Sequence, residues 1–193
     1  RSAGSSSILV PRRKLILRIM IIGADSTVMA ATNTDSNPFW EFSNAVYART
    51  GVARACLVLQ EKHGVDVNLL LYALWRGYRG HHISTEDVLA MERTVADWRA
   101  RVVQPIRVLR QRLRDYPGVE ATRELLKQAE LRAEQHQQQL MFEAICAEID
   151  VGVDGDVDID NALTQFARAQ NLNPDELAVF GSTVRAAIQG LER

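Results

Sequence analysis

Cysteine is scarce in this 193-residue chain: Cys56 and Cys146 stand alone, ninety positions apart, with no Cys-x-x-Cys pair. Their spacing excludes a small zinc module and a disulfide scaffold, and it fits a reducing compartment. Net charge is also small, −1 from 23 basic and 24 acidic residues, so no overall basic field marks a general nucleic-acid binder. Long hydrophobic runs are missing. The best of them, Leu15 to Ile22, is broken by Arg18 and falls far short of the roughly 20 residues that span a bilayer. There is no His-Glu-x-x-His, no Gly-x-Ser-x-Gly and no glycine-rich phosphate loop, and no stretch alternates in the manner of a β-strand. What remains is an ordinary globular composition, 47% apolar and 24% charged, sufficient to bury a core at this length.

The first thirty residues differ from the rest. Residues 1–29 carry five basic groups and one acidic group, which leaves eighteen basic against twenty-three acidic residues, net −5, for 30–193. A secretory signal would pair Arg12–Lys14 with the apolar run and cleavage near Val28-Met29-Ala30, but Arg18 interrupts that run. The plainer expectation sets 1–28 aside as a non-native or disordered extension, such as upstream translated sequence, and begins one helical domain at 29.

From Asn37 onward the pattern is helical. Asn37-Pro38 reads as a cap and first turn, followed by Phe39, Phe42 and Val46 at helical spacing. A second helix is expected over 52–63, ending at Gly64, and a third after Asp66, where Val67, Leu70, Leu71, Leu74 and Tyr78 repeat until Gly77 and Gly80 weaken the pattern. Ser84-Thr85-Glu86-Asp87 opens a long helix with Val88, Met91, Val95, Trp98, Val102, Pro105 and Leu109 as its seam, kinked at Pro105. Tyr116-Pro117-Gly118 turns the chain into a second long helix reaching about 149, with Leu126, Ala129, Ala133, Leu140 and Ala144 on one side. The expected fold is all-α: aromatic-rich helices over 37–80, a long antiparallel αα-hairpin over 84–149, an Asp-rich loop over 150–160 and a C-terminal helix pair over 161–190.

Phe39-Trp40-Glu41-Phe42-Ser43, then Gly51-Val52, Cys56-Leu57-Val58-Leu59-Gln60 and above all Asp66 through Trp75 carry a resemblance. Over roughly 37–150 the chain resembles an uncharacterised family of small proteobacterial helical proteins, a domain of unknown function. The resemblance implies a bacterial, cytosolic, helical protein and carries no activity or catalytic residues.

Three features invite a functional reading. Asn68, Tyr72, Trp75 and Arg79 share one stripe of the third helix, a mixture suited to an interface or a ligand wall, with an aromatic-rich core as the plainer alternative. Arg99, Arg107, Arg110 and Arg114 form a second stripe that suits phosphates or an acidic partner. Pairing with Glu120, Glu124, Glu130 and Glu134 of the returning helix, with Arg99 level with Glu134, is the simpler account. Asp150, Asp154, Asp156, Asp158 and Asp160 resemble a calcium loop, but Ile159 and Gln165 stand where its glycine and bidentate glutamate belong. A solvated linker whose last aspartate caps the next helix is the simpler reading. Cys56 lies in an apolar run and reads as packed rather than nucleophilic.

No catalytic residue, metal or cofactor is expected. The leading expectation is a non-enzymatic cytoplasmic protein-interaction or regulatory protein, docking a protein partner or a second copy through the aromatic helices or the hairpin. The alternative is a ligand-binding or enzymatic bundle with a pocket near Asn68, Tyr72 and Trp75 and with Asp66 or His63 as acid or base. Nucleic-acid binding through the arginine stripe is the weaker third.

Overall fold

The computed structural model describes residues 37–148 and 156–191. Helices α1 (Pro38–Tyr47), α2 (Val52–His63), α3 (Val67–Tyr78), α4 (Thr85–Trp98), α5 (Gln104–Arg112), α6 (Glu120–Glu148), α7 (Ile159–Ala169) and α8 (Pro174–Gln189) follow in order. Among the described residues there is no strand, and the all-α fold stands. Residues 1–28 lie outside the described residues, as do Asp150 and Asp154.

The caps form where the polar punctuation places them. Asn37 accepts from the Trp40 amide at 2.8 Å, and Asp66 accepts from the Asn68 amide at 2.9 Å. Ser84 and Asp87 make a reciprocal capping box at α4, as Asn173 and Glu176 do at α8. Gly64, with φ of 68°, ends α2 in the left-handed region open to glycine. At α7 the cap is Asp158 rather than the expected Asp160, which lies inside the first turn and pairs with Arg185 at 2.7 Å.

Helix α3 is the axis of the molecule. Every residue from Val67 to Gly77 is buried, so its Leu-rich face and the adjoining polar-aromatic stripe are both covered. The C-terminal pair is not an appendage: Phe166, Leu163 and Ala162 of α7 join Leu70 and Leu74 in one apolar cluster with α1, α2, α4 and α8. Gly77 makes this approach possible. A Cβ there would sit 2.5 Å from the Asp158 carbonyl oxygen, and the Gly77 carbonyl accepts from the Asp158 amide at 3.0 Å. The residue that weakens α3 by propensity thus lets α7 pack against it.

The expected kink takes a different form. Between α4 and α5 the helix widens into a π turn over Arg99–Val103, where the Gln104 amide reaches back to the Arg99 carbonyl. Pro105 falls in the first turn of α5, where its missing donor is tolerated, and the π turn before it takes up one extra residue. The seam therefore passes from Val95 and Trp98 to buried Val103 instead of Val102. Beyond it Leu109 swings outward to 47% exposure, while Arg107 and Arg110 turn toward α6.

Helix α6 runs for 29 residues, about 44 Å, and closes the hairpin. Its buried face differs from the expected one. Ala129 is exposed and Leu126, Leu140 and Ala144 are half-buried, whereas Glu130, Ala133, Glu134, Gln137, Gln138, Met141 and Ile145 face inward. Trp98 donates its indole N–H to the Ala133 carbonyl at 2.9 Å, which sets the axial register of the two arms.

Candidate functional site: a polar cleft at the root of the hairpin

The inward acids and amides of α6 are not scattered. They meet the cap of α3, the inner face of α1 and the arginines of α5 in one buried polar cluster. Arg107 donates to Glu130 at 2.7 Å and to Glu134 at 2.5 Å, and Arg110 also pairs with Glu130. Arg99 sits beside the cluster and bonds Asp66 at 3.2 Å and Glu92 at 3.3 Å. Gln137 donates to Asp66 at 2.7 Å, and Gln138 donates to the Asn68 side-chain oxygen at 2.8 Å.

Interhelical pairing is therefore what Arg107 and Arg110 do, with Glu130 and Glu134 as partners. Arg99 departs from the expected register: it turns to Asp66 and Glu92 rather than Glu134, because Asp66, at the head of α3, is within its reach. The four arginines do not present one open stripe, since three are held by acids of the same chain. Arg114, half-buried near the hairpin turn, stands apart from the cluster.

The aromatic stripe is not a surface. Trp75 is 2% exposed and packs on Phe39 at 5.4 Å and edge-on to Phe142 at 5.9 Å between ring centres. Tyr72 is as deeply buried and accepts from Arg76 at 3.4 Å. Arg79 is the C-cap residue of α3. Of the expected stripe Asn68 lines a cleft and Tyr72, Trp75 and Arg79 do not, because α3 is enclosed by α1, α4, α6 and α7. His63 is not brought there either; it faces Glu176 of α8 at 3.6 Å.

The cleft lies between α1, the head of α3 and the α5–α6 hairpin. Ser43, Tyr47, Asp66, Asn68, Arg107, Glu134 and Gln138 line it, with half-buried Trp40 and Gln60 completing its wall. Its cavity, about 20 Å³, has room for about one water molecule. Three of the lining residues carry a buried atom without a hydrogen-bond partner, Ser43 Oγ, Tyr47 Oη and Gln138 Oε1; Arg76 Nε, Arg123 Nε and Gln137 Oε1 are in the same state away from the cleft. Native interiors leave few such groups, since each costs about 1–3 kcal/mol.

Burial also governs the ionisation of the cluster. It raises the Glu134 carboxyl to about 7; Arg107 pulls the other way, while Glu130 and Asp66 add to the rise. Burial lowers Arg107, but Glu134 and Glu130 outweigh it and hold the guanidinium above its ordinary value. Tyr47 is pushed up by burial and then by Cys56 and Glu134, so it stays a neutral phenol. Cys56, fully buried, has its thiol pushed up to about 12, which suppresses the thiolate a nucleophile needs.

Sequence reasoning passed over Ser43, Tyr47 and Gln138. One signal was available: Glu130, Glu134, Gln137, Gln138 and Met141 recur at helical spacing on one face of α6, so polar residues occupy a core-facing stripe. No described helix is long and apolar enough to cross a membrane.

These features define a class: an α-helical bundle with a buried polar cluster and a small cleft at the root of a helical hairpin. Within that class, the chain belongs to the family described as protein of unknown function DUF2390, whose model matches residues 38–141. Every residue that lines the cleft falls in this span, which ends before α7. No curated protein and no solved structure matches the chain.

Proposed function

We propose that this protein binds a small polar ligand in the cleft between α1, α3 and the hairpin. The observation that carries the reading is that three residues lining the cleft, Ser43, Tyr47 and Gln138, each carry a buried polar atom without a hydrogen-bond partner. A fold that buries such groups without partners gains nothing in stability from them, whereas a ligand that pairs with them recovers the lost hydrogen bonds. Of the two carboxyls that line the cleft, Asp66 is held by the Asn68 amide, Arg99 and Gln137, and Glu134 by Arg107. The protein's compartment is the bacterial cytoplasm, where Cys56 and Cys146 remain free thiols.

The test is a thermal-shift screen of small cations, anions and polyols against the wild type and Ser43→Val, which fills the cleft with methyl groups. A saturable rise in melting temperature that disappears in Ser43→Val is expected. No response from any class, or an equal response in the variant, removes the reading.

A second reading, docking of a protein partner or a second copy, draws support from the far end of the hairpin. There Val108, Leu109, Tyr116 and Leu125 are 42–66% exposed, although large and apolar. Sedimentation of the wild type beside Leu109→Glu/Leu125→Glu tests the self-association form. Dissociation of an assembly by the double variant is expected, and a monomer in both cases removes it.

A further inference from the structure

Arg76 interrupts the apolar half of α3. Among the described residues it is the one arginine that is buried, 6% exposed, and its single hydrogen bond goes to the Tyr72 hydroxyl at a long 3.4 Å. Arg99, Arg107 and Arg110, which also turn inward, are each held by one or two acids of the chain. No described carboxylate pairs with Arg76. Asp158, which packs its backbone against Gly77, turns its carboxyl to the Asn161 amide instead. The carbonyls that end α3 do not serve the guanidinium either, since those of Trp75, Arg76 and Gly77 accept from the amides of Arg79, His81 and Gly80. A guanidinium has donors only and keeps its charge at every pH a folded protein meets, so it fixes the sign of the group it needs. Its Nε is sealed in without a partner; its Nη2, also without a partner, is not sealed and stays within reach of a ligand.

Two further cationic side chains stand beside it. Arg79 is the half-buried C-cap of α3, and His81 follows in the loop, half-buried as well. Burial, then Arg76, then Arg79 hold the His81 imidazole below its ordinary value, so the three groups act on one another. Arg79 has an interaction of its own and adds charge here rather than a vacant donor.

We propose that the C-terminal end of α3 is an anion site, built on Arg76 and His81 in the field of Arg79, that takes the phosphate group of a small ligand. Desolvating a cation without a counter-ion is costly, and an anion offsets that cost. A guanidinium fork fits a carboxylate or a phosphate, but three basic groups in one place favour the phosphate, which carries about −1.5 to −2 near pH 7. The site goes beyond the ligand reading above and is independent of it: Arg76 lies eight residues, about 12 Å along the axis, from Asn68 at the cleft.

The experiment uses the full chain near neutral pH at constant ionic strength. Sodium phosphate is titrated by calorimetry and the histidine ring resonances are followed by NMR, with sodium acetate and sodium chloride beside it. Saturable phosphate binding that shifts the His81 ring, and leaves those of His63 and His136 in place, is expected. Acetate binds roughly tenfold more weakly or not at all. Arg76→Met loses the phosphate, while its phosphate-free melting temperature is unchanged or higher, because an unpaired buried charge has been removed. His81→Gln, a loop change outside the apolar core, weakens phosphate roughly tenfold. Ser43→Val leaves phosphate binding intact, so a phosphate response that survives that change belongs to this site and not to the cleft. Silence from phosphate, a still His81 ring, acetate bound as tightly, or binding indifferent to both Arg76→Met and His81→Gln overturns the proposal. Phosphate lost in Ser43→Val but kept in Arg76→Met also overturns it, and leaves the cleft reading standing.

Discussion

The two halves of α3 sit in opposite surroundings. Its C-terminal half, from Leu70 to Gly77, is wrapped by Phe39, Phe142 and Phe166 and by a helix that closes to backbone distance at Gly77. Its N-terminal end, Asp66 to Asn68, opens on carboxylates, arginines and amides with a cleft between them. The first environment is what stability alone selects, because apolar burial contributes about 25 cal/mol per Å² and demands no partner. The second costs desolvation of every charge it encloses, which the ion pairs offset only in part. A fold that already has the first does not need the second for stability. Charge enclosed at that cost is thus where function is to be sought, and the aromatic stripe did not point to it.

The contrast breaks most sharply at Trp75. Trp75→Ala empties a ring-sized space among Phe39 and Phe142 and should cost about 3–5 kcal/mol in denaturant unfolding, with no ligand involved. At the polar end, Arg107→Met leaves Glu130 and Glu134 short of their counter-ion and should cost about 3 kcal/mol at pH 8. Pairing it with Glu134→Gln should recover part of that loss, an outcome that no cavity in the apolar half would give.

The pH profile sharpens the same comparison. Glu134 is raised from the ordinary carboxyl value of 4.5 to about 7, so between those values the folded state holds a proton that the unfolded chain has released. Its contribution to stability is full below about 4.5 and is lost as pH rises through about 7. Relative to Glu134→Gln, the wild type should lose up to about 1.4 kcal/mol per pH unit in that window, measured by urea unfolding across pH. A flat difference between the two would show that the carboxyl is ionised throughout. The smallest effect belongs to the hairpin tip: Leu125→Ser, at a side chain 66% exposed, should change monomer stability by less than about 0.5 kcal/mol.

Much of the local structure was legible beforehand because it is local chemistry. Asn37, Asp66, Ser84 and Asn173 each carry a side chain that reaches an amide two or three residues on, whatever surrounds the helix. The Gln-rich, acid-rich face of α6 was harder. A charged residue at helical spacing reads as solvent-facing unless the helix opposite is known to supply arginines at the same level. Arg107 and Arg110 came to that level through the π turn, whose extra residue turned Leu109 out and the arginines in. A one-residue change of phase rotates a helix face by about 100°, and spacing rules that assume an unbroken helix cannot register it.

What the sequence determined by itself, then, was the class of fold, most of the helix ends and the hairpin, since caps, glycines and apolar periodicity act within a few residues. The tertiary structure decided which faces were buried: α7 closing over α3 through Gly77 made the aromatic stripe core, and the π turn made the arginine stripe an internal partner of α6. Those outcomes depend on contacts between residues far apart in the chain, such as Arg107 with Glu130, 23 positions on, and Gly77 with Asp158, and their energies arise only once both helices are in place.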